Sequence, residues 1–436
     1  MKMGYGERDI TPEYPIEMVG FYRADNLSKG ILDRLYVQCA LFDFSNEYSC
    51  IITIDSIGFT VKDSDYLRDI IGKNLKITKE RVMLCFSHTH SAPNNGIERS
   101  YFAFICQKTL EAVNESLNNV IPVKAAWESF EGNIGENRRN NSVLDKRIGI
   151  LKISAFDNDN IKLILLRVTA HANILSSDNY LISSDYFGSV RKFLKEKYNC
   201  DVMVTQGASG NIRPLYRQKN TDFLEIHSYE YSLTQANKNI PSLEAEKSIN
   251  KTVQEIYTGI DKIIYSLIPQ KINRLNMFSE IKRFYSDVPT IERAHEIFIE
   301  AREKAGIDGS DWLKEIKRLN AEKIIRQHTD IEIQYFILNN GCICGVPEEI
   351  MCEMALEVIE KTKNNQIYLG GYTNGCSGYF PTYEEFLRGG YEVIWSYLVY
   401  YIYHERVSSL TKESGNILVD TIVSQLKNLN VKKSSV

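Results

Sequence analysis

Two histidines one residue apart, His88 and His90 in CFSHTHSAP (85–93), close an apolar run in a chain with only seven histidines. In an extended backbone, residues i and i+2 project to the same face, so both imidazoles can reach one point beyond a strand end. That spacing suits a metal or a proton-transfer pair, and it also occurs by chance in turns, so the pair alone decides nothing. Residues of the same chemistry stand elsewhere: Asp55 after SCIITI, His171 in VTAHANIL, Asn211 in GASGNIRP, Glu349 in GVPEE and Tyr379 in GCSGYF. Two imidazoles and a carboxylate are a common protein set for catalytic zinc, with a further position left to water or substrate. The plainer reading makes His171 a satisfied core histidine and Glu349 a carboxylate favoured by a helix dipole.

A recurring order of elements would bring these residues together. YVQCALFDF and SCIITID are β-rich runs, followed by an amphipathic helix from about Ser64 with Leu67, Ile70, Ile71 and Leu75 on one face, and then RVMLCFSHTH. Strand, strand, helix, strand returns as RIGILKIS, IKLILLRVTAH, a helix from about Asp185 carrying Phe187, Val190 and Leu194, and DVMVTQGASGNIRP. It returns again as IEIQYFILNN, GCICGVPEE, a helix carrying Met351, Met354, Ala355, Val358 and Ile359, and QIYLGGYTNGCSGYFPT. Second and third strands of each unit end in polar, glycine-rich turns, where α/β folds collect ligands. The candidates occupy those ends: Asp55, His88 and His90 in the first unit, His171 and Asn211 in the second, Glu349 and Tyr379 in the third. The expected fold is α/β, with mixed sheets built from these units and flanking helices, in a single domain over 1–436. Residues from about 225 to 327, rich in Glu, Lys and Ile at helical spacing, read as a helix-rich insertion packed on the core.

Bulk properties exclude several classes. A chain of 436 residues that is 43% hydrophobic buries one large core or two ordinary ones. Its net charge of −4 provides no basic stripe for nucleic acid. Nine cysteines without a compact spacing read as reduced thiols filling the core, with Cys342, Cys344 and Cys352 buried on a strand and a helix. The opening MKMGYGERDITP has no apolar segment of signal-peptide length, so the expected location is cytoplasmic. VIWSYLVYYIY (393–403) is too short to span a bilayer and reads as a buried helix; no membrane span is expected. The oligomeric state is not legible.

Seven motifs in order, from about Tyr5 to Tyr401, resemble the catalytic domain of the neutral, non-lysosomal ceramidases. They are GYGERDITP with GILDRLYVQCALFDF, SHTHSAP, ENRRNN, VTAHANI, QGASGNIRP, GVPEEI and GYFPTYEEFLRGGYE. The resemblance implies one zinc per chain bound by His88, His171, Glu349 and Tyr379, with His90, Arg138 and Tyr391 around the scissile bond. Zinc held by neutral imidazoles and a carboxylate lowers the pKa of water from about 15.7 to about 7, which provides a nucleophile for an amide or ester carbonyl at ordinary pH. His90 would then move a proton or hold the carbonyl oxygen, and Arg138 and Tyr391 would donate to the oxyanion.

The chain also departs from that family. GNIRP places Arg213 where ceramidases carry a serine regarded as catalytic, and Asn211 where they carry an aspartate. A guanidinium is no acyl-accepting nucleophile. Neither a β-rich C-terminal domain nor a C-terminal β-sandwich is expected after the last amphipathic helix, NILVDTIVSQLKNL. The reading is therefore a zinc-dependent hydrolase of a linear amide, or an ester or lactone, on which ceramide is a poor substrate. Arg213 is expected to point into the site, its charge met either by Asp55 or by a carboxylate on a small anionic acyl substrate, with Asn211 and Arg139 as further substrate contacts. Two alternatives stand beside it: a zinc-containing binding protein without catalysis, and a hydrolase dependent on Cys376 in NGCSGY.

Overall fold

A computed structural model describes residues 1–21, 23, 25–217 and 243–429. Strands form where apolar runs can be covered on both faces. β1 (Lys2–Asp9), β2 (Tyr36–Phe44), β3 (Glu47–Ile54) and β4 (Val82–Phe86) build one half of a nine-stranded sheet. The other half is β5 (Ile121–Glu131), β7 (Arg147–Ala155), β8 (Ile161–Val168) and β9 (Asp201–Gln206), in the order β4-β3-β2-β1-β5-β7-β8-β9, with β11 (Gln270–Lys271) beside β5. A second sheet has the order β12 (Leu275–Asp287), β13 (Arg326–Leu338), β14 (Gly341–Gly345), β16 (Ile367–Gly370). Two short pairs complete the set: β6 (Gly135–Asn137) with β10 (Ile212–Pro214), and β15 (Glu349–Ile350) with β17 (Tyr379–Phe380).

The two sheets pack face to face. Phe42, Ile51 and Met83 from the first half, Leu151, Leu165 and Met203 from the second, and Phe336, Leu338 and Ile343 from the small sheet share one buried cluster. Alternate residues of the same strands turn the other way. Val37, Cys39 and Leu41 meet α1 (Val61–Leu75) and α2 (Arg99–Asn118), while Ile164, Leu166 and Val168 meet α3 (Tyr186–Tyr198). Burial on both faces is why these strands read as continuous apolar runs instead of alternating ones.

The three repeated units are present as units. β2-β3-α1-β4, β7-β8-α3-β9 and β13-β14-α7-β16, with α7 spanning Cys352–Thr362, each join an antiparallel hairpin to a third strand that runs parallel to the second. Capping fixes where the crossover helices start. Thr60 accepts a hydrogen bond from Asp63 N at 3.1 Å to open α1, and Asp185 accepts one from Tyr186 N at 2.8 Å to open α3.

The segment expected as a helical insertion is only partly helical. Residues 225–242 lie outside the described residues. α4 (Leu243–Ile263) buries Ile249, Val253, Ile256 and Ile260 in the α3 layer. The next element is β12, a strand paired with β13 along its length from Leu275↔Leu338 to Asp287↔Arg326. Its outer part carries solvent-facing charge pairs, Arg283 with Asp330 and Arg326 with Asp287 both at 2.7 Å, which hides the strand alternation in the sequence. Only α5 (Ile291–Ala305) and α6 (Ser310–Ala321) form a helical pair set into that hairpin. The stretch 393–403 also differs from a buried helix. A π-helical turn, Tyr391–Trp395, leads into α9 (Ser396–His404), which follows α8 (Tyr383–Arg388) and precedes α10 (Ser414–Asn428). Tyr397 and Leu398 are buried, whereas Val399 and Ile402 are exposed, because one face of α9 borders a cavity. All nine cysteines are free thiols and only Cys376 is less than fully buried. Among the described residues no helix is long and apolar enough to cross a membrane.

Candidate active site

The ends of the three units meet. β4 stops at Phe86, and His88 adopts φ +59°, so the two histidines do not share an extended face as their spacing suggests. A left-handed backbone at a residue other than glycine costs on the order of 1–2 kcal/mol, and here it swings His88 toward His90, ring centroids 5.0 Å apart. His90 N donates to Ala172 O at 3.3 Å, which ties this turn to the end of the second unit. There, three residues beyond β8, the His171 ring lies 4.9 Å from His88 and 5.7 Å from His90. The third unit supplies Glu349 on β15, whose partner across the parallel pairing is Tyr379 on β17.

Hydrogen bonding fixes which ring atoms face inward. His88 Nδ1 lies 2.6 Å from Ile57 O, His171 Nδ1 lies 2.7 Å from Ser209 O, and His90 Nδ1 lies 3.0 Å from Gly20 O. A carbonyl only accepts, so each Nδ1 carries the proton and each Nε2 presents a lone pair. Nε2 of His88 and of His171 stand 3.5 and 3.3 Å from Glu349 Oε2. Burial first, then the neighbouring rings, depress the pKa of His90; burial likewise depresses that of His171, so both are neutral. Acceptor atoms are thus turned on one another in a buried space, and Nε2 of His90 and His171 have no hydrogen-bond partner. Such a set is stable around a cation, and backbone-anchored imidazoles with a carboxylate suit zinc. The ligand atoms of His88, His90 and His171 all lie within 4.8 Å of one another, so His90 belongs to the group that could hold a metal. Tyr379 is set differently. Its hydroxyl accepts from Arg138 at 3.0 Å, and burial raises its pKa well above the ordinary phenol value.

Over its full length the chain matches the crystal structure of neutral ceramidase from Pseudomonas aeruginosa, with a TM-score of 0.71 and 16% identity, covering 76% of that chain. A ceramidase complexed with C2 matches with a TM-score of 0.70 and 15% identity, over the same shares of the two chains. The chain has the neutral-ceramidase fold. Neither a family model nor a curated protein matches the sequence. The described residues of this ceramidase-like chain hold no C-terminal β-sandwich.

A cavity of about 450 Å³ opens on the histidine cluster, lined by His88, His90, Glu349, Arg138, Tyr379 and Tyr391 among others. Arg138 donates to Gly210 O at 2.8 Å and pairs with Glu392 at 2.8 Å, and Tyr391 stands on the π-helical turn with its ring 6.0 Å from that of Tyr379. These three expected residues are brought together. Arg139 and Asn211 are not on the wall. Arg139 clamps Glu385 at 2.6 Å, Glu392 at 2.7 Å and Gly389 O at 2.7 Å, tying α8 to the π-helical turn. Asn211 is fully buried; its amide donates to Glu353 at 2.8 Å and accepts from Cys352 N at 3.0 Å, which makes it an anchor for the start of α7.

Arg213 does line the cavity, but its partner within the chain is not Asp55. Asp55 is engaged by Arg191, and Arg213 Nε donates at 2.7 Å to Glu136, its cross-strand neighbour in the β6–β10 pair. With 38% of its side chain exposed, Arg213 is not a buried lone cation. Tyr372 escaped the sequence reading. It is fully buried, its hydroxyl donates to Glu349 Oε2 at 3.2 Å, and its ring centroid is 4.2 Å from that of His88. A tyrosine in GGYTNG carries no spacing signal that would single it out.

Proposed function

We propose that this protein is a zinc-dependent hydrolase of a linear amide in a small acyl substrate, formed as one catalytic domain, and that ceramide is a poor substrate. The observation that carries the reading is the convergence of His88 Nε2, His171 Nε2 and Glu349 Oε2 beside a cavity in a ceramidase-like fold. His88, His171 and Glu349 would hold the metal, with Tyr379 at longer reach. Zinc in that position supplies Lewis acidity and lowers the pKa of water to about 7.

The chain's own groups do the rest. His90, neutral and with Nδ1 anchored on Gly20 O, directs Nε2 to where it can hold a proton for the departing nitrogen. Arg138, fixed by Gly210 O and Glu392, offers its remaining N–H groups to the carbonyl oxygen as negative charge develops there; loss of one such donor costs about 3 kcal/mol. Tyr391, hydrogen-bonded to Tyr400, presents a phenol that burial keeps protonated; turned from that partner it would be a second donor for the same oxygen. Cys376 is a poor nucleophile by comparison, because burial and then Glu349 and Glu348 push its thiol well above the ordinary range.

Hydrolysis of a panel of soluble N-acyl amides tests the proposal. Activity abolished by chelation, restored by zinc and retained in Cys376→Ala is the expected result. Hydrolysis that survives chelation and is lost in Cys376→Ala would assign the chemistry to the thiol. Zinc bound at the site with no turnover of any acyl amide or ester would leave a binding protein.

A further inference from the structure

We infer that the substrate carries a carboxylate, held by Arg213 and Arg217, so that its class is a small amphiphilic N-acyl amino acid. The inference rests on the amide-hydrolase reading for which bond reacts, and on the charge of the cavity wall for what is recognised. Arg138, Arg213 and Arg217 all line the cavity, and among the described residues Glu349 is the sole acidic side chain that does so. Glu349 spends its charge on the imidazole cluster. The carboxylates that pair with the arginines, Glu136 and Glu392, are not part of the lining, so the wall presents guanidinium and not carboxylate to a ligand.

Geometry favours Arg213 as the reader. Glu136 engages its Nε at 2.7 Å, which leaves the terminal N–H groups of a half-exposed fork for a second oxyanion. Arg217 stands beside it, 3.6 Å from the same Glu136 oxygen. Burial first, and then the positive charge of Arg213 against the pull of Glu136, draw its pKa below the ordinary value. Phe21, Phe59, Ile174, Val399 and Ile402 make other parts of the lining apolar. An acyl chain suits those residues, and a carboxylate on the amine portion suits the arginines. A neutral, two-chain lipid amide would leave the guanidinium fork facing apolar substrate.

Calorimetric titration with ligands that cannot be hydrolysed separates this inference from the catalytic reading. The probes are the ketone isosteres of N-decanoylglycine and N-decanoylglycinamide, in which a methylene replaces the amide nitrogen. The carboxylate is expected to bind at least tenfold more tightly than its carboxamide. Arg213→Gln should weaken the carboxylate by roughly tenfold to a hundredfold and the carboxamide by less than threefold, and Arg217→Gln should act in the same direction. Retained carboxamide binding shows that the variants are folded; should a variant fail to fold, a carboxylate preference that shrinks as salt rises in the natural chain supports the inference, and a salt-independent one overturns it. Equal affinities for the two probes, or a carboxylate preference unchanged in the Arg213→Gln, Arg217→Gln double variant, would also overturn it. Failure to hydrolyse N-decanoylglycine would count against the hydrolase reading alone.

Discussion

Single atoms carry the chemistry of this site. Three backbone carbonyls take the Nδ1 protons of His88, His90 and His171, and that choice leaves lone pairs to converge with Glu349. Tyr372 holds the remaining degree of freedom, since its hydroxyl binds the inward oxygen of Glu349 and its ring lies against His88. Outer partners of this kind tune metal affinity by roughly 10–100-fold. Tyr372→Phe is therefore expected to weaken zinc affinity within that range while the fold is kept, as read by competition with a chromophoric chelator; an unchanged affinity would make Tyr372 a packing residue only. His88, His171 and Glu349 were legible as candidates because imidazoles and carboxylates recur at strand ends. The turn at His88 was not, because a left-handed residue follows from tertiary closure around the site and not from CFSHTHSAP itself.

Elements place those atoms. The periodicity of three strand, strand, helix, strand units was legible because each crossover helix keeps a 3.6-residue apolar stripe and each strand a continuous apolar run. β12 was not, since cross-strand charge pairs on its exposed part imitate a helical surface. Partnerships between short elements were equally hidden: Arg213 meets Glu136 through the β6–β10 register, and Arg139 joins α8 to the π-helical turn across more than two hundred residues. Arg139 exposes only 10% of its side chain and its two carboxylate partners even less; Glu392 keeps Arg138 and Glu385 keeps Arg388, so removing Arg139 costs the buried bonds it makes, about 1–3 kcal/mol. Arg139→Ala should lower unfolding stability by that amount in urea titration and reduce turnover through displacement of Tyr391. A loss below about 1 kcal/mol would show that the clamp does not hold the turn.

At the scale of the molecule, two packed sheets bring one polar end of each unit to a shared point, and a cation there would link all three. A ligand that binds only the folded chain raises its stability by mass action, so chelation should lower the melting temperature of the natural protein and readdition of zinc should restore it. The same arrangement explains why 16% identity suffices to keep the neutral-ceramidase fold: the apolar faces of the units tolerate substitution, while the site depends on a few polar ends. The most direct measurement is elemental analysis of the purified chain beside its His88→Ala, His171→Ala variant. About one zinc per chain in the natural protein and close to none in the folded double variant is the expected result, and undiminished zinc in that variant would contradict the assignment of the site.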